Sequence, residues 1–366
     1  VISASRIAQP LDSITTSATV LSREDIERAN VRDLKGLLET QSSVEFARTG
    51  GIGAVTTMFM RGGNSDQTLV ILDGVPLYSS GAIGSMAPLE AIPLGSVEKI
   101  ELLKGNAAAL YGSGAVGGVV NITTNSSDHV GPFGSVGYGS HNTKEIYTGY
   151  SWTSGSSRYS IKLGSQSSDG YATFDEKLFP NVPRKNRNSK TDFLNLFFEQ
   201  EVSPGQKIGF IGNLSELKNG WSTIFDLDSN NRQTERSLGS VSLYSKNKIS
   251  DDFYSKLTFG YNSDLRKNFD NGIPTPDFGT FYKDQHQLIS WQGEYLIDVN
   301  GKAYLGYEKS TDKYSGYSRW LNYVTSDFSD YNNPIYVYDS NSLKLQRATD
   351  SYLTGFNYRF GLIDTQ

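Results

Sequence analysis

From residue 131 onward, apolar and polar side chains take turns with period two, and the connections between these runs sort by length. Tyr159, Ile161 and Leu163 alternate with Arg158, Ser160 and Lys162, and Ile208, Phe210 and Leu214 stand opposite in phase to Lys207 and Asn213. The same alternation recurs in Leu257, Phe259 and Tyr261 and in Ile289, Trp291 and Tyr295, each run reading as a strand with one apolar and one polar face. About ten such segments follow one another, near positions 133, 145, 157, 191, 206, 238, 253, 285, 301 and 348. The connections at 153–157, 203–206, 250–252 and 298–301 are tight, with Pro204-Gly205 and Asn300-Gly301 supplying turn chemistry. Those at 169–189, 217–237, 265–283 and 313–346 run to roughly 20 polar residues or more. Strict alternation of short and long connections predicts an antiparallel membrane barrel, with short turns on the periplasmic side and long loops outside. A soluble Greek-key protein whose loops happen to alternate is the competing reading.

Composition agrees with an all-β chain and removes several function classes. Among 366 residues there are 37 Gly, 22 Tyr and 18 Phe but no cysteine, which excludes disulfides, thiolate metal sites and cysteine nucleophiles. No run approaches 18 apolar residues, so no helix is expected to span a membrane. The net charge of −5, with both signs mixed along the chain, leaves no electrostatic footprint for nucleic acid. His129, His141 and His286 are scattered, supporting neither a zinc site nor a Ser-His-Asp arrangement, and the chain reads as no enzyme. Val1 is not an initiator residue, which fits an exported protein that has been processed.

Residues 1–125 have a different texture, that of a mixed α+β unit. Ser22 and Asp25 form a capping-box pattern ahead of Ile26, and a second helix is predicted over 31–39, with Asn30 as cap and Leu34, Leu37 and Leu38 on one face. Strands are predicted at 58–62, 67–77, 96–105 and 117–124, the second broken by the Asp73-Gly74 turn. Gly112, Gly114 and Gly117 match the spacing of a dinucleotide fingerprint. The β-branched run Val119, Val120, Ile122, Thr123 and Thr124 follows where a helix N-terminus would have to hold a pyrophosphate, so the glycines are read as structural. With Gly118 they are expected to let the backbone pass close to a surrounding wall.

Three stretches, "VISASRIAQPLDSITTSATVLSREDIERA", "MRGGNSDQTLVILDGVPL" and "VEKIELLKGNAAALYGSGAVGGVVNITT", resemble the TonB-dependent outer-membrane transporters, most closely their cobalamin-receptor branch. One departure is Lys104-Gly105-Asn106, where the family usually has Arg-Gly-Pro. The resemblance implies a mainly β fold: an α+β plug domain over 1–125 inside an antiparallel transmembrane β-barrel, of which 131–366 provides about the first ten strands. A plugged barrel of about 22 strands needs roughly twice that number. The remaining strands are therefore expected from a missing C-terminal part or a second polypeptide, and 1–366 alone is expected not to form a stable transporter.

The resemblance also implies a receptor in the outer membrane of a Gram-negative bacterium. Such a receptor binds a scarce large nutrient, cobalamin or a related corrinoid, and imports it as TonB of the inner-membrane energising complex rearranges the plug. A siderophore or haem receptor of the same family is the alternative, and a soluble β-rich binding or adhesion protein a remote one. Val1, Ile2, Ser3 and Ala4 look like the end of a TonB box. Arg61, Glu98, Glu101 and Lys104, charged residues within apolar strand patterns, are expected to make ionic contacts between plug and barrel. Substrate contacts are expected from two plug loops, through Thr49, Gly50, Gly51 and Ile52 and through Tyr78, Ser79, Ser80, Gly81 and Ala82. Acidic loops in the cobalamin branch are associated with calcium, which makes Asp226, Asp228, Asp264 and Asp270 candidate ligands for a structural ion. No organic cofactor is implied.

Overall fold

The computed structural model describes residues 17–77, 86–105, 111, 113–125, 130–222, 231–270, 273–274, 281–298, 301–324 and 335–358. Two sheets account for most of them. The head holds β1 (Ser17–Leu21), β2 (Val44–Arg48), β3 (Thr56–Met60), β4 (Thr68–Leu72), β5 (Val75–Leu77), β6 (Lys99–Lys104) and β7 (Gly118–Thr123). Its five-stranded sheet runs in the order β1-β6-β7-β4-β5, with β4 and β7 parallel, while β2 and β3 pair as a separate hairpin. Helices α1 (Arg23–Ala29) and α2 (Leu34–Leu38) precede the hairpin.

Ser22 and Asp25 form the expected capping box. Asn30, however, does not start the second helix. It ends α1 in the left-handed conformation (φ 49°), which asparagine tolerates, and Asp33 caps α2 instead by accepting from the Gly36 amide at 2.8 Å. Ile26, Leu37, Met60, Ile100, Leu102 and Ile122 belong to one buried core cluster, which takes in Leu238 from the second sheet. Head and sheet thus share apolar packing.

The glycine run works inside the head and not against a surrounding wall. Gly118 has φ 153°, and a Cβ there would collide with Met60 and with the Leu103 carbonyl on the adjacent β6. A Cβ on Gly117 would press on the Gln67 and Met60 carbonyls at 3.2 Å, whereas one on Gly114 would meet nothing nearer than 4.0 Å. Gly112 lies outside the described residues.

The second sheet is an antiparallel meander of β8 (Gly131–Gly139), β9 (Thr143–Ser154), β10 (Ser157–Ser168), β11 (Ser189–Ser203), β12 (Gln206–Trp221), β13 (Arg232–Lys248), β14 (Phe253–Asp270), β16 (Phe281–Leu296), β17 (Gly301–Val324) and β18 (Ile335–Tyr358). A two-residue strand, β15 (Ile273–Pro274), folds back on β14. Among the described residues no pairing joins β8 to β18, so the sheet is open at both edges.

Its faces are inverted relative to a soluble sheet. Lys162, 3% exposed, points toward the head while its neighbour Leu163, 49% exposed, points away. Asn195, Ser240, Asn262 and Ser290 are likewise buried on the inner face, and Ile146, Leu243, Phe259 and Ile289 are exposed on the outer one. An apolar outside and a polar inside are what a bilayer around an aqueous bore requires. Near the short turns the outer face carries an aromatic row, with Trp152 stacked on Tyr159 at 4.9 Å and Tyr159 beside Phe198 at 5.2 Å, as at a membrane–water boundary.

The strands extend further into the long connections than alternation predicts. Residues expected in loops at 217–237 and 313–346 instead lengthen β12, β13, β17 and β18. Beyond the bilayer both faces of a strand meet water, so the period-two signal vanishes although the pairing continues.

Candidate functional site

The inner wall and the head meet through a set of polar contacts that fixes one against the other. Glu98, just ahead of β6, pairs with Lys162 on β10, whose ammonium also reaches the Ser96 carbonyl at 3.5 Å. Arg236 on β13 is buried between Glu90 of the head and Asp264 on the neighbouring β14, to which it gives two hydrogen bonds. Asn213 on β12 donates to Asp73 at 2.7 Å, and the same carboxylate accepts the Thr124 amide and hydroxyl at 3.0 and 2.7 Å. Burial pushes the Asp73 carboxyl above its usual range against these three donors. Arg23 of α1 donates to the Leu94 and Val97 carbonyls at 2.9 and 2.7 Å and to the Tyr147 hydroxyl on β9 at 2.9 Å. Its hydrogen bond to Glu27 holds that carboxyl below the ordinary value. Asn262 on β14 and Gln166 on β10 donate to the Pro76 and Arg32 carbonyls at 2.6 and 2.7 Å.

Of the four charged residues singled out from the sequence, Glu98 is the one joined to the wall by an ion pair in this set. Glu101, fully buried, takes Lys99 at 2.6 Å and the Asn121 amide at 3.0 Å, both in the head. Lys104 donates to Ser42 at 3.2 Å, and Arg61, held at φ 54°, donates to the Lys104 carbonyl at 3.2 Å. Sequence reasoning missed Arg236, Glu90 and Asn213. Arg236 shares the inward parity of Ser240 and Ser242, so a charge in phase with small polar residues was the available signal.

At the loop end, the head's 48–57 segment rests against the wall. Its turn closes through Ala54 N to Gly51 O at 3.1 Å, Gly51 faces the ring of Tyr171, and Gly53 (φ 83°) approaches Ser189 and Leu217 too closely to admit a Cβ. Thr49, Gly50, Gly51 and Ile52 therefore sit beside the start of the β10–β11 connection. Tyr78, Ser79, Ser80, Gly81 and Ala82 lie outside the described residues, as do Val1, Ile2, Ser3 and Ala4. Nearby, inward-facing cations lie over aromatic rings: Arg232 over Trp221 at 5.1 Å and Arg266 over Tyr282 at 5.5 Å, with Arg266 also donating to the Tyr282 hydroxyl at 2.6 Å. The surface offers charge, donors and stacking planes.

The proposed metal ligands are not equivalent. Asp264 lies within β14, not in a loop, and both its oxygens accept from Arg236. Asp270 is the last residue of β14, and Asp226 and Asp228 lie outside the described residues. Among the described residues no group of three or more His, Asp or Glu is placed to hold a metal ion. His286 accepts a structural part instead, bonded through Nδ1 to Asp312 at 2.7 Å, which in turn takes Arg347 at 2.8 Å.

Comparison with known proteins agrees with this architecture. Residues 10–119 match the TonB-dependent Receptor Plug Domain family. Over 224 residues the chain is 33% identical to the vitamin B12 transporter BtuB of Vibrio vulnificus (strain CMCP6), a match covering 60% of this chain and 36% of that one. The pyoverdine outer membrane receptor FpvA of Pseudomonas aeruginosa PAO1 superposes with a TM-score of 0.70 at 15% identity, over 97% of this chain and 60% of the receptor. The siderophore receptor PiuA of Acinetobacter baumannii gives 0.66 at 15% identity, over 95% and 56%. The chain thus spans only part of the length of the relatives it matches. Residues 10–119 therefore form a TonB-dependent receptor plug domain, lodged against the polar face of a lipid-facing meander, an arrangement like that of the outer-membrane receptors to which the chain is similar.

Proposed function

We propose that the complete protein is an active importer of cobalamin or a related corrinoid, energised by TonB. The observation that carries the ligand is the 33% identity to a protein named as a vitamin B12 transporter, against 15% for siderophore receptors that share the fold. In this reading the nutrient lands at the loop end, where Thr49, Gly50, Gly51 and Ile52 sit beside Tyr171, with Tyr78, Ser79, Ser80, Gly81 and Ala82 as further contacts. Val1, Ile2, Ser3 and Ala4 would offer the handle on which TonB pulls. Plug movement would then break the wall contacts of Glu98, Glu90 and Asp73, all polar and exchangeable for water, so displacement costs less than opening an apolar interface of equal area. The remaining strands of the barrel would close the sheet edges left by β8 and β18.

Calcium, where bound, would draw on Asp226, Asp228 and Asp270 and not on Asp264, whose carboxylate already serves Arg236. Its contribution there would be to order loops above the bilayer.

A siderophore receptor is the second reading, and the arginine–aromatic pairs at the loop end favour it, since they suit a multiply charged anionic chelate. Equilibrium binding of cyanocobalamin and of a ferric siderophore to the full-length receptor separates the two. Saturable cyanocobalamin binding without siderophore binding supports the first; the reverse replaces it with the second.

A further inference from the structure

At the short-turn end, on the opposite side of the head contacts from the loops, the inner faces of β12, β13, β14, β16 and β17 line a cavity of about 530 Å³. Five lysines face it: Lys207, Lys246, Lys248, Lys256 and Lys302. Its one lining carboxylate among the described residues, Glu294, is taken by Lys302 at 2.6 Å.

The register makes this more than a basic patch. Lys207 stands directly across from Lys246, and Lys246 directly across from Lys256, so three ammonium groups line up over three successive strands. Like charges in directly opposed positions destabilise a sheet. Elsewhere the inner face avoids the conflict with Ser240, Thr258, Ser290 and similar neutral residues. Lys246 and Lys207 share Glu199, at 3.3 and 3.9 Å, which also takes Arg158 and the Tyr244 hydroxyl, the latter at 2.7 Å. Lys248 is drawn aside to Asp251 at 2.7 Å. Among the lining residues five lysines thus stand with one carboxylate, and a bound anion would relieve the repulsion along the row. These lysines share the inward parity, opposite to the exposed Ile208 and Leu243, so they face the bore and not lipid headgroups. Lysines are compact point charges with three rotatable donors each, a match for the tetrahedral oxygens of phosphate more than for a planar carboxylate.

We propose that this cavity is an anion-binding station on the exit side of the plug, taking a soluble phosphate or phosphate-ester group. The transporter reading supplies only the word exit; the anion chemistry stands on the lysine row itself and holds for either cargo.

Calorimetric titration of the full-length receptor with pyrophosphate tests it. The wild type should bind saturably at low ionic strength, with affinity falling as salt rises. Lys207→Gln/Lys246→Gln/Lys256→Gln should weaken binding at least about tenfold, and the corresponding triple Arg replacement should retain it. The Arg variant keeps the pairs with Glu199 and should melt as wild type does, and cyanocobalamin binding, measured in parallel, should be the same in both variants as in wild type. Absence of saturable pyrophosphate binding, or equal affinity in the Gln variant, overturns the proposal. Failure of cyanocobalamin to bind the wild type counts against the cargo reading and leaves the anion station standing.

Discussion

Asn213, midway along the inward face of β12, donates its side-chain amide to Asp73 in the β4–β5 turn at 2.7 Å, and that same carboxylate holds Thr124 at the exit of β7. One carboxylate therefore ties the head's central parallel pair to the wall. Asp73→Ala should cost about 1.5–3 kcal/mol, the range for hydrogen bonds to a charged group, and should speed hydrogen exchange at β7 amides. Asn213→Ala removes the 2.9 Å contact between its side-chain oxygen and the Thr124 hydroxyl but leaves both Thr124 bonds to Asp73, and should cost less.

The same residue predicts a pH dependence. Burial raises the Asp73 carboxyl above an unfolded value near ~3.9, so between the two values the folded state holds the proton more tightly. Stability then rises as pH falls through the raised value toward the unfolded one, and it is lower at neutral pH. Denaturant melts of wild type and Asp73→Asn across this window should show the wild type gaining relative to the variant on acidification. A difference that stays constant with pH would contradict this.

Arg236 is wedged between two carboxylates, with about 5% of its side chain exposed. Arg236→Leu strands Glu90 and Asp264 as buried charges and should destabilise by about 3–5 kcal/mol. Replacing all three by apolar residues of similar volume should recover most of that loss in the same thermal unfolding measurement.

Inside and outside are set by adjacent residues. Ile161→Arg places a charge on the lipid face two residues from the aromatic row and should cost about 1–2 kcal/mol, between the interface and midplane values. A spin label on Ile161 or Phe259 should be quenched by oxygen in preference to a water-soluble relaxant, and one on Lys207 should show the reverse.

Gly118→Ala should destabilise the head more than Gly114→Ala, because only the first puts a Cβ into the Leu103 carbonyl and demands φ 153° of an L-residue. Melting both variants side by side reads this difference.

Much of the wall was legible because the bilayer writes its presence into every second residue: Ile161 and Lys162 cannot exchange roles without exposing charge to hydrocarbon. The head was legible through its capping box and through Leu69 to Leu72, a run too apolar for a solvated strand. What stayed hidden depends on which residue of one sheet meets which residue of another. Glu98 stands out as a charge in an apolar setting, but nothing local distinguishes Arg236 in "RQTERSLGS" from any solvated arginine, or tells that Glu101 finds Lys99 two positions away and Glu98 finds Lys162 across the interface. Strand ends failed for a related reason, since β17 and β18 outrun the membrane that gives them their pattern.

That overreach has a consequence at the cell surface. At about 3.3 Å per residue, the 24 residues of β17 and the 24 of β18 stretch to about 80 Å, against an apolar band ~25 Å tall. Inclined at about 45°, the hairpin still rises about 55 Å, roughly twice the apolar band, so a mast of paired backbone projects past the hydrocarbon on the side of the long connections.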